Sequence, residues 1–397
     1  MTAAMLANRR STLLLAIIYL GFISLGLPDG TFGLAWPAIY PELSLPIGLA
    51  GTIMIFATLI SGFSGFMSGR VISKLGTGPV MLISCILTGG GLLAMGHAQS
   101  GLMLFLICIP LGIGAGAVDS GLNSFVARHY SGRHMNWLHA CWGIGATAGP
   151  LFMGYAISNL GGWRVGYWSI SGVQLTLAAL FLITLSLWKF VPTREHADLS
   201  EDGKAALPIR SANSTAGYLS MLSFVLYVGV ETMTGLWIGS ILIVGHGFSP
   251  ETASVCTASF YGSITGGRIL VGFIVDKLGN RRLITAGMLL ALAGSLIFVF
   301  ASSPALVFIA LVMIGGGYAP VYPCLMHEVP RRFAPDQVQI VIGRQTGASY
   351  IGAAIMPVMG GWLAQTALQY LPVLTLLGTL LLLACVKTLD KTTPQNA

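Results

Sequence analysis

The sequence has very little charge. Asp, Glu, Lys and Arg make up 8% of its 397 residues, whereas hydrophobic residues make up 55%. Soluble domains carry about a quarter charged residues. A chain this poor in charge cannot cover its surface with ionised groups, so we infer that lipid solvates most of it. Its 52 glycines have no triplet period, and together with the high apolar content this excludes collagen-like and disordered chains.

Cysteine and histidine show no metal-binding spacing. Free cysteine inside apolar sequence behaves as a small packing residue, so we expect no disulfide. The six cysteines are Cys85, Cys108, Cys141, Cys256, Cys324 and Cys385. The motifs H-E-x-x-H, nucleophile elbow and phosphate-binding loop are also missing. We therefore expect no cofactor, no metal site and no enzyme, and a membrane-embedded enzyme or receptor is the less favoured alternative.

Long apolar runs dominate what is present. A helix needs about 20 apolar residues to cross a bilayer. Runs of that size lie near 12–36, 47–69, 78–97, 102–127, 137–159, 165–188, 216–244, 252–275, 282–302, 305–328, 340–365 and 369–388. The first is too long for a cleaved signal peptide. We predict an all-α membrane protein of twelve transmembrane helices: a six-helix bundle over 1–188, a cytoplasmic linker over 189–215 and a second bundle over 216–397.

The net charge of +7 is explained by membrane topology, which places basic residues in the cytoplasmic loops. With twelve spans and a cytoplasmic N-terminus, almost every basic loop residue falls on the cytoplasmic side, as the positive-inside rule requires. Arg164 is the exception in an outer loop, and Arg268 lies within a span. This distribution predicts that both termini are cytoplasmic and that the protein lies in a cell membrane, as in the inner membrane of bacteria. No basic stripe for nucleic acid is present.

The two halves repeat. The segment GRVISKLG begins at Gly69 and GFIVDKLGNRR begins at Gly272, 203 residues later. At the same offset, Gly112 and Gly114 meet Gly315 and Gly317. Two pseudo-repeated six-helix bundles are typical of alternating-access carriers, which bind solute between the repeats.

These features resemble the major facilitator superfamily of transporters along the whole chain. The segment GFIVDKLGNRR resembles the signature loop G-x-x-x-D-[RK]-x-G-[RK]-[RK] of that superfamily, with Asp276, Lys277 and Arg281 in the charged positions and Asn280 in the first of the two closing basic positions. The first copy has Ser73 in place of the acid. The resemblance implies a conformational latch, in which a carboxylate and basic residues hold a neighbouring helix end. The predicted latch residues are Gly272, Asp276, Lys277, Gly279, Arg281 and Arg282. The alternative is ordinary positive-inside charge, which explains neither Asp276 nor the glycine spacing.

Three carboxylates lie inside predicted spans: Asp29, Asp119 and Glu231. An ionisable side chain at the bilayer centre costs about 2.5–3.5 kcal/mol on insertion scales and indicates function by default. Desolvation disfavours the charged form, so such groups can take up a proton on one side and release it on the other. We predict that all three couple transport to protons. The alternatives are structural: Glu231 neutralised by Arg268, and Asp119 paired with Arg128 or Arg133.

Within the superfamily, the pattern is most similar to the fucose-permease type of sugar–proton symporters. That group carries an acid in span 1 and an acid followed by Asn in span 4. Asp29, Asp119 and Asn123 stand in those places, although the span-4 acid of that group is usually Glu. The resemblance implies that Asn123 binds the solute. Pro28 and Gly30 should also loosen the helix around Asp29.

Span 5 carries His139, Trp142, Ala146 and Gly149 on one helical face. This face suits a wall that stacks a sugar ring, and the alternative for His139 is a cap near the cytoplasmic end. Further candidate solute contacts are Trp237, Tyr318 and Tyr322. The run Gly145-x-x-x-Gly149-Pro150 also partly resembles the antiporter motif of drug exporters, with Met153 replacing a glycine. Glycine packing against span 8 explains this run without export.

We therefore expect a proton-coupled secondary transporter for a small polar solute, a sugar or sugar derivative. Its partners would be the solute, protons and the bilayer, and we expect a monomer. The alternative within the same fold is a proton-coupled antiporter that exports drugs or metabolites.

Overall fold

The computed structural model describes residues 3–130, 132–189 and 211–393, and the chain divides into two compact units. Unit 1 comprises residues 1–45 and 56–200, and unit 2 comprises residues 46–55 and 201–397. Most of the predicted linker, 190–210, lies outside the described residues. Unit 2 thus includes the short segment 46–55, which the sequence placed in the first bundle.

Unit 1 is built from seven α-helices in the described part of the chain. They are α1 (Ala3–Gly26), α2 (Thr31–Glu42), α3 (Leu49–Leu75, whose first residues belong to unit 2), α4 (Thr77–Met95), α5 (Gly101–His129), α6 (Gly132–Asn159) and α7 (Trp163–Ile183). The predicted first span is thus two helices, α1 and α2, joined by a turn. The other predicted spans of this half each coincide with one helix.

Unit 2 also contains seven α-helices within the described residues. They are α8 (Thr215–Ser240), α9 (Pro250–Leu278), α10 (Asn280–Phe300), α11 (Pro304–Tyr318), α12 (Val321–Arg332), α13 (Val338–Ala367) and α14 (Leu371–Thr392). A π-helical turn, Ile241–Gly245, extends α8. The predicted span 305–328 is divided into α11 and α12 at Ala319 and Pro320. Proline lacks the N–H that would continue the helix.

The all-α membrane class is confirmed. Ten described stretches are long and apolar enough to cross a membrane. One of the ten, Pro335–Thr392, contains both α13 and α14, and the 28-residue helix α6 is not among them. Each of the twelve predicted spans has a matching helix or helix pair, but the count of twelve transmembrane helices stays a prediction.

The core of unit 1 lies where α1, α5 and α7 meet. Ile18 and Phe22 of α1, Leu122 of α5 and Phe181 of α7 are each at most 1% exposed and belong to one hydrophobic cluster. Close approach of α1 is possible at Gly21, where a Cβ would touch Leu122 and Phe181. Small residues promote such packing in lipid, where helices gain nothing from the hydrophobic effect.

The repeated loop ends in the same backbone conformation in both units. Gly76, after α3, has φ 85° and ψ 159°, and Gly279, after α9, has φ 79° and ψ 149°. This region of backbone space is essentially restricted to glycine. The closing glycine of the repeated segment is therefore required at the chain reversal between two helices, independently of any latch.

The one basic residue predicted in an outer loop, Arg164, has a structural role in unit 1. Its guanidinium contacts Glu42 Oε1 at 2.8 Å and donates to the carbonyl oxygens of Gly96 and Ala98 at 3.1 and 2.8 Å. The indole of Trp163 donates to Glu42 Oε2 at 2.6 Å. These bonds tie the end of α2 to the α4–α5 connection and the start of α7. This explains the exception to the charge asymmetry.

Candidate solute and proton site

The helix break in the first span positions Asp29. The helix α1 ends at Gly26, and Pro28, which has no N–H, cannot continue its hydrogen-bond ladder. The Asp29 N–H donates to the Gly26 carbonyl at 3.2 Å, while Thr31 Oγ1 donates to the Pro28 carbonyl at 2.7 Å. The predicted loosening at Pro28 is therefore confirmed. Irregular backbone at membrane depth is tolerated where it is buried in protein or lines a water-filled cavity.

Glycines bring the helix α6 against α1 at this break. A Cβ on Gly26 would collide with the carbonyl oxygen of Trp142, and a Cβ on Gly145 or Gly149 would collide with the carbonyl oxygen of Ile23 or Leu27. Gly145 and Gly149 therefore pack against span 1, and their small size sets the separation of α1 and α6. The packing against span 8 expected from the sequence stays a prediction.

The close approach of these helices lets the indole of Trp142 reach Asp29. Trp142 Nε1 donates to Asp29 Oδ2 at 2.6 Å. Asp29 is nonetheless exposed, although it lies in the middle of the apolar stretch Ser11–Glu42. Asp119 is near enough to interact electrostatically with it. A mid-span carboxylate that faces open space while holding one hydrogen bond can exchange protons or bind a polar solute.

Asp119 and Asn123 interact along α5. Asn123 Nδ2 donates to Asp119 Oδ1 at 3.0 Å and to the Asp119 carbonyl at 2.9 Å. The Asn123 Oδ1 atom is buried and accepts no hydrogen bond from the described residues. Arg128 does not pair with Asp119, since its Nε donates to the Ser124 carbonyl at 3.2 Å. The side chain of Arg133, the other suggested partner, lies outside the described residues.

His139 lies one turn before Trp142 and also faces α1. Its ring meets Phe22 edge-on, with the ring centroids 5.9 Å apart, and it is exposed. The shared face predicted for His139, Trp142 and Gly149 is therefore real, but it packs mainly on span 1. From this face, it is the indole of Trp142 that reaches Asp29.

The sequence analysis missed a buried polar chain behind this site. Ser24 Oγ of α1 donates to Gln174 Oε1 of α7, and Gln174 Nε2 donates to Thr88 Oγ1 of α4 at 2.6 Å. Buried polar groups that are fully paired fix a unique packing. The available signal was Gln174 itself, a lone amide in an apolar span. This chain links α1, just before its break region, to two other helices of unit 1.

Glu231 has a basic partner in unit 2. Arg268 Nη2 lies 3.8 Å from Glu231 Oε1 and donates to Tyr227 Oη at 3.3 Å. The structural alternative raised for Glu231 is thus the arrangement observed. Glu231 therefore differs from Asp29 and Asp119, which form no ion pair with the described residues, and its predicted part in proton coupling stays a prediction.

The predicted aromatic contacts of unit 2 differ in accessibility. Tyr318 is 0% exposed, with its hydroxyl 2.6 Å from Thr379 Oγ1. Trp237 is 1% exposed and donates to the Pro357 carbonyl at 3.2 Å. Neither side chain faces open space. Tyr322 is partly exposed and packs beside Tyr227, with ring centroids 6.1 Å apart, so it is the candidate of this group that remains accessible to a solute.

The predicted latch residues divide into two groups. Asp276, Lys277 and Arg282 are exposed, and Asp276 makes no ion pair with the described residues. A Cβ on Gly272 would meet nothing within 4 Å. Arg281, in contrast, has its Nε 2.8 Å from Glu328 Oε2. The latch itself stays a prediction, but Arg281 is already bound inside unit 2.

Glu328 is the centre of a charged cluster that the sequence analysis missed. Its side chain is fully buried, and it accepts from Asn280 Nδ2 at 3.0 Å and from Arg331 Nη1 at 3.1 Å in addition to Arg281. Asp390 extends the cluster by accepting from Arg332 Nη2 at 2.7 Å. The sequence signal was a carboxylate directly before the basic end of span 10. The cluster joins α10, α12 and α14.

These observations define a class: a polytopic helical membrane protein with a broken first span and an accessible mid-span acid. The model of the Major Facilitator Superfamily matches residues 18–327 and 219–397, so the chain belongs to this superfamily. The expectation that it is not an enzyme is confirmed, because the family and the structural neighbours are transporters.

Similar proteins differ in the solutes for which they are named. The glucose/mannose transporter GlcP of Bacillus subtilis is 24% identical over 65% of this chain and 65% of its own. The cis,cis-muconate transport protein of Acinetobacter baylyi is 25% identical over 82% of this chain and 81% of its own. The crystal structure of the nucleoside transporter NupG has TM-score 0.75 at 12% identity, covering 95% of this chain and 99% of that one. That likeness shows the fold.

Proposed function

We propose that the protein is a secondary active transporter that moves a sugar or sugar derivative by alternating access coupled to protons. The observation that carries this proposal is the exposed mid-span carboxylate of Asp29, which accepts a hydrogen bond from Trp142. The fucose-permease resemblance of Asp29, Asp119 and Asn123 supports the same function.

The proton step rests on two neighbouring acids without a cation. Among the described residues, neither Asp29 nor Asp119 forms an ion pair. Two carboxylates near each other repel when both are ionised, and one proton relieves this repulsion. A group that gains and loses a proton as its access changes couples solute movement to the gradient. The gradient supplies about 2.3 kcal/mol per charge per 100 mV.

The same chemistry favours a neutral solute. A dicarboxylate or an aromatic acid would add negative charge beside Asp29 and Asp119, and unlike an acid, a sugar can donate hydroxyl hydrogen bonds to both carboxylates. Asn123 adds an amide, and the indole of Trp142 adds a ring of the kind that stacks on sugar faces. The similarity to a glucose/mannose transporter agrees with this choice.

Uptake into vesicles tests this function. Right-side-out proteoliposomes with an inward proton gradient should accumulate a radiolabelled hexose, and an uncoupler should abolish the accumulation. Labelled cis,cis-muconate or benzoate under the same gradient should stay at equilibrium. Proton-driven loss of a preloaded drug, without hexose uptake, would instead establish the alternative function of export. Accumulation of the acids would contradict the neutral-solute proposal.

Replacement of Trp142 by Phe should weaken solute binding at least about tenfold. The change removes the hydrogen bond that orients the Asp29 carboxylate and replaces the indole by a smaller ring, and a tenfold loss of affinity corresponds to about 1.4 kcal/mol. The half-saturating hexose concentration in counterflow measures the effect. The matched control is Trp237→Phe, which removes a hydrogen bond to a backbone carbonyl and should lower thermal stability while leaving hexose affinity within about twofold. Equal loss of affinity in both variants would argue against a special role for Trp142.

For topology, we propose a monomer in a cell membrane of the bacterial inner-membrane type, with both termini cytoplasmic. Loop charge supports the orientation. The exposed residues Asp276, Lys277 and Arg282 then lie at the cytoplasmic face, where a latch would act.

A further inference from the structure

Unit 1 contains an apolar groove that the solute site does not use. It has a volume of about 510 Å³ and is formed by α3, α4 and α5. Phe63 and Val71 of α3, Ile83 and Leu87 of α4 and Ile113 of α5 contribute to its walls. On α3 the lining extends from residue 56 to residue 75, roughly 28 Å at 1.5 Å per residue. This is close to the thickness of the hydrocarbon core, about 30 Å.

One end of the groove meets two basic side chains. A second cavity of about 260 Å³ is lined by Arg70, Val71, Lys74 and Leu75. Val71 and Leu75 also line the apolar groove, so the two cavities adjoin. Arg70 and Lys74 lie four residues apart on α3 and therefore project from one helix face. The combined space has a long apolar part and a cationic end.

Neither Arg70 nor Lys74 forms an ion pair with any described residue, and both are exposed. The guanidinium of Arg70 lies 5.8 Å from the ring centroid of Phe66, and its Nη1 donates to Met67 Sδ at 3.8 Å. A thioether sulfur is a weak acceptor, which a phosphate oxygen can replace. The second copy of this loop has Asp276, whereas the first copy has Ser73, whose hydroxyl donates to the Arg70 carbonyl at 2.8 Å. Loss of the acid from this copy leaves net positive charge beside the groove.

We propose that this groove binds an anionic phospholipid, with an acyl chain along α3 and α4 and the phosphate at Arg70 and Lys74. The apolar walls match a hydrocarbon chain, and the two exposed cations match a headgroup with net negative charge. A zwitterionic headgroup carries its own cation and would therefore bind Arg70 and Lys74 less strongly. Ordinary positive-inside charge would explain the two basic residues but not the adjoining groove.

Native mass spectrometry of the full-length protein tests the headgroup contact. The probes are dioleoyl phosphatidylglycerol and dioleoyl phosphatidylcholine, which differ only in the headgroup. Juxtamembrane basic residues contribute about fivefold in affinity each, so we expect about thirtyfold tighter binding of phosphatidylglycerol. The double variant Arg70→Gln/Lys74→Gln should lose this preference. The control Lys277→Gln/Arg282→Gln removes two exposed charges from the repeat-equivalent loop and should retain it.

A matched pair on α4 tests the groove. Ile83 and Ile86 are 48% and 50% exposed, but only Ile83 is among the groove residues. Ile83→Trp should fill the groove and reduce binding of phosphatidylglycerol at least tenfold, whereas Ile86→Trp should not. If Ile83→Trp binds like the wild type, the basic pair attracts a phosphate without a seated chain, and the proposal fails. It also fails if both lipids bind the wild type equally, or if Ile83→Trp dissociates a dimer that covers the groove.

Discussion

Asp29→Asn should abolish proton-driven accumulation of hexose while exchange of hexose across the membrane survives. One proton moving down 100 mV supplies about 2.3 kcal/mol, which sustains roughly a fiftyfold concentration ratio. Asparagine keeps the size and can still accept from the indole of Trp142, so the fold around the helix break should persist. If Asp29 carries the proton, Asp119 alone does not couple, and the solute can only equilibrate. Accumulation and counterflow in the same proteoliposomes measure the two activities separately.

Two controls accompany this variant. Asp29→Glu restores a carboxyl group and should recover part of the accumulation. Glu42→Gln removes an acid from the far end of α2, where it pairs with Arg164 at 2.8 Å, and should leave the coupling intact. If Asp29→Asn still accumulates hexose to the wild-type ratio, Asp29 does not carry the proton. Loss of both accumulation and counterflow would assign it to solute binding instead.

Glu328→Gln should strongly destabilise unit 2. The carboxylate is fully buried among Arg281, Arg331 and Arg332. Among the described residues, its loss leaves Arg281 and Arg332 with Asp390 as their carboxylate partner and Arg331 with no carboxylate partner. Removal of one partner from a buried ion pair typically costs about 3–5 kcal/mol. We therefore expect a large fall in the apparent melting temperature of the detergent-solubilised protein. The size-exclusion profile after heating measures this change.

The control for this variant is Asp336→Asn. Asp336 is exposed and accepts from its neighbour Gln337 at 2.8 Å, so its neutralisation should change the free energy of unfolding by less than about 0.5 kcal/mol. If Glu328→Gln melts with the wild type, the cluster contributes no net stability. In that case the desolvation of its charges offsets their attraction, which is a known outcome for buried pairs.

The helices were predictable because an apolar run must be long enough to cross the hydrocarbon core of the bilayer. The break at Pro28 was predictable for a local reason, the missing N–H. The break at Pro320 has the same local cause, but the sequence analysis did not extend that reasoning to span 10. The closing glycines Gly76 and Gly279 were recognised by their repetition, although the backbone conformation that requires them became visible only in the structure.

The site was predicted in part. Asp29 and Asp119 stood out because an ionisable side chain within a span is costly, and Asn123 stood out through the resemblance to the fucose-permease type. The sequence left two interpretations of Glu231 open, a function in transport and pairing with Arg268. The distance of 3.8 Å between the two side chains favours pairing. Glu328 and Gln174 were missed, since each lies beside residues that gave a simpler explanation: a basic helix end for Glu328, and an apolar run for Gln174.

The sequence by itself determined the membrane as solvent, the repeat and the acids that the spans must accommodate, because composition and spacing alone fix the cost of transfer into lipid. Only the tertiary structure decided which acids are paired and which are open. Those pairings depend on how closely helices approach, and Gly26, Gly145 and Gly149 set that distance for α1 and α6. The same side chain, a carboxylate, is therefore an accessible group at Asp29 and a buried anchor at Glu328.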